Sequence, residues 1–91
     1  MQFKQLLENL IGTKGAYLLD KESNILGKVP VSELVDTLNN VDKVFAVIID
    51  GTIEKQLVEI SEKKGVNYII GLENKVKNGR SNVKVLSYDE L

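Results

Sequence analysis

The chain has 91 residues, a hydrophobic fraction of 43% and a formal net charge of −1. That describes one small domain and excludes a disordered chain. It contains no cysteine and no histidine, which excludes disulfides, thiolate or imidazole metal sites, and Ser-His or Cys-His nucleophile pairs.

Phe3, Leu6, Leu7, Leu10 and Ile11 recur at helical spacing, and Gly12 follows as a stop. That segment carries Lys4 and Glu8 inside its pattern, so it reads as a folded helix rather than a secretory leader. Gly15 to Asp20 and Ile25 to Val31 read as two strands of a hairpin, joined by the polar turn Lys21–Asn24, with Asn24 placed to take a positive φ. Pro30 lacks a donor and suits a strand end or edge. Ser32 reads as the N-cap of a helix whose buried stripe is Leu34, Val35, Leu38 and Val41. Val44 to Ile49 is apolar without alternation, the pattern of a central strand covered on both faces. Asp50-Gly51-Thr52 turns into a third helix, with Ile53, Leu57, Ile60 and Ser61 facing inward, Glu54 one turn in, and Gly65 ending it. Val66 to Gly71 is a further strand, 73–82 a polar loop, Val83 to Leu86 a last strand, and 87–91 a tail. No apolar run approaches the ~20 residues that cross a bilayer. The expected fold is one α/β domain over residues 1–91: a five-stranded mixed sheet centred on Val44–Ile49, with helices packed on its faces.

Two places invite chemistry. Asp50 ends a strand just before a helix, where open α/β sheets bind ligands. With Asp20, Glu54 or Glu73 it would offer oxygen ligands to Mg²⁺. The alternative reading makes Asp50 or Thr52 a helix cap and Glu54 a charge complementing the helix dipole. The loop after Glu73 carries Lys75, Lys77, Arg80 and Lys84 and no acid, an arrangement suited to phosphates of RNA or single-stranded nucleic acid. No aromatic is interleaved for base stacking, and the alternative is a solvated loop. Gly12-Thr13-Lys14-Gly15 superficially resembles a phosphate loop but lacks its spacing and precedes a strand, so it reads as a turn.

Taken in order, Gly12-Thr13, Ala16 to Asp20, Val29-Pro30-Val31, Glu33-Leu34-Val35, Asp50-Gly51-Thr52-Ile53, Lys64-Gly65-Val66, Ile69-Ile70-Gly71, Asn82 to Leu86 and Asp89-Glu90-Leu91 resemble the C-terminal domain of the archaeal DnaG-type primases. The resemblance spans nearly the whole chain. Where that family has Thr-Gln-Arg-Leu, this chain has Glu54-Lys55-Gln56-Leu57 and so lacks an arginine. The resemblance implies a longer, cytoplasmic replication protein whose Toprim domain lies upstream, uses Mg²⁺ and contains an Asp-x-Asp pair. No such pair occurs here, so the expectation for this unit is a non-catalytic accessory domain without its own cofactor. The family is also tied to the archaeal RNA exosome and adenine-rich RNA. The alternatives are a Toprim-like, Mg²⁺-dependent phosphotransfer domain built on Asp50, and a self-association module that pairs as a homodimer through its first helix.

Overall fold

The computed structural model describes residues 2–76 and 82–91. In chain order it contains helix α1 (Phe3–Leu10), strands β1 (Gly15–Leu19) and β2 (Ile25–Pro30), helix α2 (Leu34–Asn40), strands β3 (Ala46–Ile49) and β4 (Thr52–Ile53), helix α3 (Lys55–Lys63), and strands β5 (Tyr68–Gly71), β6 (Glu73–Asn74) and β7 (Lys84–Ser87). Single 3-10 turns lie at Val31–Glu33 and Tyr88–Glu90.

The apolar run in mid-chain becomes the middle of the sheet. The strand order is β2-β1-β3-β5-β7, and β3 is buried at every position. β1 is antiparallel to both its neighbours, whereas β3, β5 and β7 are mutually parallel. The hairpin β1–β2 therefore places β1 between β2 and β3, which run the same way. Successive side chains of β3 alternate between two cores, as strand geometry requires. Val47 and Ile49 join Leu34 and Leu38 of α2 and Leu57, Val58 and Ile60 of α3 on one face. Ala46 and Ile48 join Phe3, Leu7 and Leu10 of α1 on the other. Two helices thus cover one face and a single short helix covers the other. Leu7 and Leu10 are fully buried, and each such side chain contributes ~1.5–3 kcal/mol by leaving water. Phe3 and Phe45 flank Tyr68 at 5.5 Å between ring centroids. The C-terminal turn closes this face: the Tyr88 hydroxyl donates to Glu8 Oε2 at 2.6 Å. That bond is the main reason the phenol titrates above its usual range, with burial and the Glu8 charge adding to it.

Several local expectations change. Ser32 does not cap α2; it sits inside the 3-10 turn, and no side chain caps either that turn or the helix. The physical reason lies one strand away: Val31 N–H is already bonded to the carbonyl of Lys14 at 2.9 Å, so the chain leaves β2 in a tight turn before the helix begins. In the hairpin the positive φ falls on Ser23 (66°), while Asn24 bonds back to Asp20. Ile53 is not on a helix. It belongs to β4, which pairs in parallel with β6 as a separate two-stranded ladder past the end of the main sheet. Gly71 makes that crossing possible: a Cβ there would stand 2.7 Å from Ile53 Cγ1 and 2.9 Å from the Gly51 carbonyl oxygen. Glu54 precedes α3 in an extended conformation and is not one turn into it. Among the described residues no helix is long and apolar enough to cross a membrane.

Candidate functional site

Because β3, β5 and β7 run parallel, their carboxyl ends share one rim of the sheet, where a ligand of an open α/β sheet is expected. β1 runs the opposite way, so the turn Gly12–Gly15 that precedes it arrives at the same rim, and Asp50 N–H bonds the Gly15 carbonyl at 3.0 Å. Asp50 Oδ2 accepts the backbone N–H of Gly12 at 3.0 Å and of Lys14 at 2.7 Å. Gly12 (φ 89°) and Lys14 (φ 55°) are both left-handed, which aims these two amides at one point. Amides converging in this way form an anion nest. Thr13 stiffens the turn: its hydroxyl donates to the Leu10 carbonyl at 2.6 Å and accepts from Gly15 N–H at 3.1 Å. The Gly-Thr-Lys-Gly segment is a turn, as expected, and it does cradle an anion. That anion is the chain's own Asp50 carboxylate. Asp50 is thus neither a cap of α3 nor an uncommitted ligand.

Asp20 lies at the other end of β1, five residues on, hence roughly 17 Å from the Asp50 rim at strand spacing. Its Oδ1 accepts from Glu22 N–H at 3.0 Å and Asn24 N–H at 2.9 Å, and its Oδ2 from the Asn24 side-chain amide at 3.2 Å. The Asn24 backbone N–H does most to hold this carboxyl below the usual carboxylate range; slight burial opposes it, and the Asn24 amide and Glu22 N–H reinforce it. Glu73 accepts from the Thr52 hydroxyl at 3.3 Å, and Glu54 is exposed beside α3. The set Asp50, Asp20 and Glu54 is therefore not one cluster, because antiparallel β1 carries Asp20 to the far rim. Among the described residues, no three His, Cys, Asp or Glu side chains are grouped to hold a metal ion.

Of the four cations expected to form a patch, Lys77 and Arg80 lie outside the described residues. Lys75 follows β6 beyond the carboxyl rim, its N–H bonded to the Ile53 carbonyl at 3.1 Å. Lys84 opens β7 level with Tyr68, at the amino rim. Both are exposed. They do not sit side by side, because Lys75 follows the carboxyl ends of the parallel strands and Lys84 stands at their amino ends.

Sequence reading missed a cleft of about 670 Å³ beside Asp50, lined in part by Lys14, Lys28, Val31 and Ser32. It also missed the Gly12 and Lys14 amides as partners of Asp50. No local pattern announces either feature, because the bonded groups are 36 and 38 residues apart. The only hint was a left-handed-prone turn and an acid, each at the end of a strand.

No protein-family model matches the chain. Its relatives include the DNA primase DnaG of Thermococcus gammatolerans, 28% identical over 98% of this chain and 20% of the relative. The DNA primase DnaG of Aeropyrum pernix is 36% identical over 92% of this chain and 21% of the relative. That of Methanopyrus kandleri is 40% identical over 74% of this chain and 16% of the relative. The chain thus spans between about a sixth and a fifth of the length of these curated relatives.

Proposed function

The chain corresponds in sequence to one domain-sized segment of the archaeal DnaG-type DNA primases, and from that premise we propose that it serves such a primase as its C-terminal accessory domain, acting by contact rather than by reaction. The observation that carries this reading is the employment of Asp50. The acid best placed for chemistry has its Oδ2 taken up by two backbone amides, fastening a loop, and at the other rim Asp20 Oδ1 accepts two backbone amides and its Oδ2 the Asn24 side-chain amide. In this reading nucleotidyl transfer and its Mg²⁺ belong to a Toprim-type domain elsewhere in the longer chain. That longer chain makes RNA primers on DNA and assists the RNA exosome with adenine-rich RNA. Contact with RNA is assigned to Lys75, Lys84 and the two further cations, Lys77 and Arg80, that lie between them in the sequence.

Two titrations test the reading. Mg²⁺ added to millimolar concentration, followed by amide chemical shifts, is expected to leave Gly12, Lys14 and Asp50 unmoved. Binding of a labelled adenine oligonucleotide is expected to be weak and to weaken with salt. Changing Lys75, Lys77, Arg80 and Lys84 to glutamine together should flatten the logarithmic salt slope by about 3, at ~0.7 per phosphate contact on a single strand. Equal binding by the quadruple variant would remove the RNA contact from these four residues. Mg²⁺-dependent shifts at Asp50, with nucleotide turnover by the isolated domain, would restore the phosphotransfer alternative.

A further inference from the structure

Among the described residues, β2 is the terminal strand of the sheet and pairs only with β1. Val31 N–H bonds the Lys14 carbonyl, and in an antiparallel ladder such bonds alternate. Val29 and Gly27 therefore turn their backbone groups toward β1, while Lys28 turns its N–H and C=O away from the sheet. Pro30 ends this edge with a carbonyl and no donor. Next to the edge, on the α2 face, is a groove of about 320 Å³ lined in part by Leu18, Leu26, Val29, Thr37, Val41 and Asp42, the last with its carboxylate paired to Lys64 at 3.2 Å. Leu26 is 53% exposed and Ile25 49%, so the strand presents aliphatic surface together with unpaired backbone. On the opposite face the Lys28 side chain lies over β1, its Cε 3.0 Å from where a Cβ on Gly15 would stand.

The geometry points to β2 as a strand-addition site for an extended segment of a partner protein, with an aliphatic side chain in the groove beside α2 and a carboxylate next to it in sequence, facing Lys28. Alternation of side chains across a strand puts these two features at adjacent positions, and backbone pairing supplies affinity while the groove supplies selection. Lys28 decides against a second copy as the occupant. Two-fold pairing of β2 with itself sets the two Lys28 side chains opposite or diagonal to one another, about 5–8 Å apart, where like charges repel. A lysine in mid-edge is also a common guard against self-pairing. An acidic strand turns the same charge into an attraction.

This inference rests on reading the domain as an interaction unit, and it involves none of the residues of the RNA test, so each can fail alone. The probe is a capped hexapeptide of alternating valine and threonine with one central glutamate, compared with its lysine counterpart and with a version N-methylated at the central amide. Amide shifts of the labelled domain are expected to move at Leu26 to Val29 and at Thr37 and Val41. The glutamate peptide should bind about fivefold tighter than the lysine peptide, N-methylation should abolish binding, and Lys28→Glu should reverse the preference while leaving the rest of the spectrum unchanged. Absence of shifts at millimolar peptide, shifts centred elsewhere, or indifference to peptide charge would overturn it. So would a concentration-dependent dimer of the domain that protects the Lys28 amide.

Discussion

Asp50→Ala tests the central structural claim most directly. The variant removes the acceptor of two backbone amides at 3.0 and 2.7 Å. A hydrogen bond to a charged acceptor contributes ~1.5–3 kcal/mol. Here one oxygen serves both donors, and the site is only half-buried, so water can take over the freed amides. The pair together is therefore worth about 2 kcal/mol. In a domain of this size each kcal/mol moves Tm by about 4–8 °C, which puts the expected fall at roughly 10 °C. Asp50→Asn keeps a carbonyl acceptor and loses the charge, so about half that fall is expected. Thermal and urea unfolding measure the loss, and amide hydrogen exchange locates it, with Gly12 and Lys14 exchanging faster while the β3 amides stay protected. A variant within ~0.5 kcal/mol of the parent, with Gly12 and Lys14 exchanging as before, would show that the carboxylate does not hold the turn. Millimolar Mg²⁺ that stabilises the parent but not Asp50→Ala would mean the carboxylate is a ligand after all.

Gly71→Ala forces a methyl group to 2.7 Å from Ile53 Cγ1 and 2.9 Å from the Gly51 carbonyl oxygen, and a loss of about 1–3 kcal/mol in urea unfolding is expected; a neutral result would mean that β4 moves aside freely. Ser61 is fully buried on α3, and its hydroxyl has no hydrogen-bond partner among the described residues. Ser61→Ala should be neutral or stabilising by up to about 1 kcal/mol, and a clear loss would reveal a hidden partner for the hydroxyl. The Asp20 carboxyl is held below its ordinary value by the Asn24 and Glu22 amides. Its contribution is therefore present above the unfolded pKa of about 3.9 and disappears as pH falls through the lower folded value. Acid titration should shift the Glu22 and Asn24 amides together in that window, and Asp20→Asn should erase the transition.

Much of the fold was legible because it rests on local rules. The 3.6-residue repeat of Phe3, Leu7 and Leu10, the unbroken apolar run at β3, and the hairpin around Asp20–Asn24 each announce themselves over a few residues. Ser32 does not act as the cap its sequence suggests, because a cap depends on where the preceding chain is tied, and Val31 is tied to Lys14. The short β4–β6 ladder left no trace in the sequence, since a two-residue parallel pairing between Thr52–Ile53 and Glu73–Asn74 has no period to read.

The candidate site was less legible than the fold. The sequence by itself determined an aliphatic α/β unit, which residues line its core, and that Asp50 ends the central strand before a turn. It also showed, by lacking cysteine and histidine, which chemistries are excluded. Strand direction and order were decided only in three dimensions. The antiparallel course of β1 carries Asp20 away from Asp50 and brings Gly12 and Lys14 to it, the parallel setting of β7 beside β5 separates Lys75 from Lys84, and the terminal place of β2 leaves Lys28 facing outward. Hydrophobic patterning is a short-range property of the chain, whereas the partner of a carboxylate or a backbone amide at a sheet rim is fixed by which strands become neighbours.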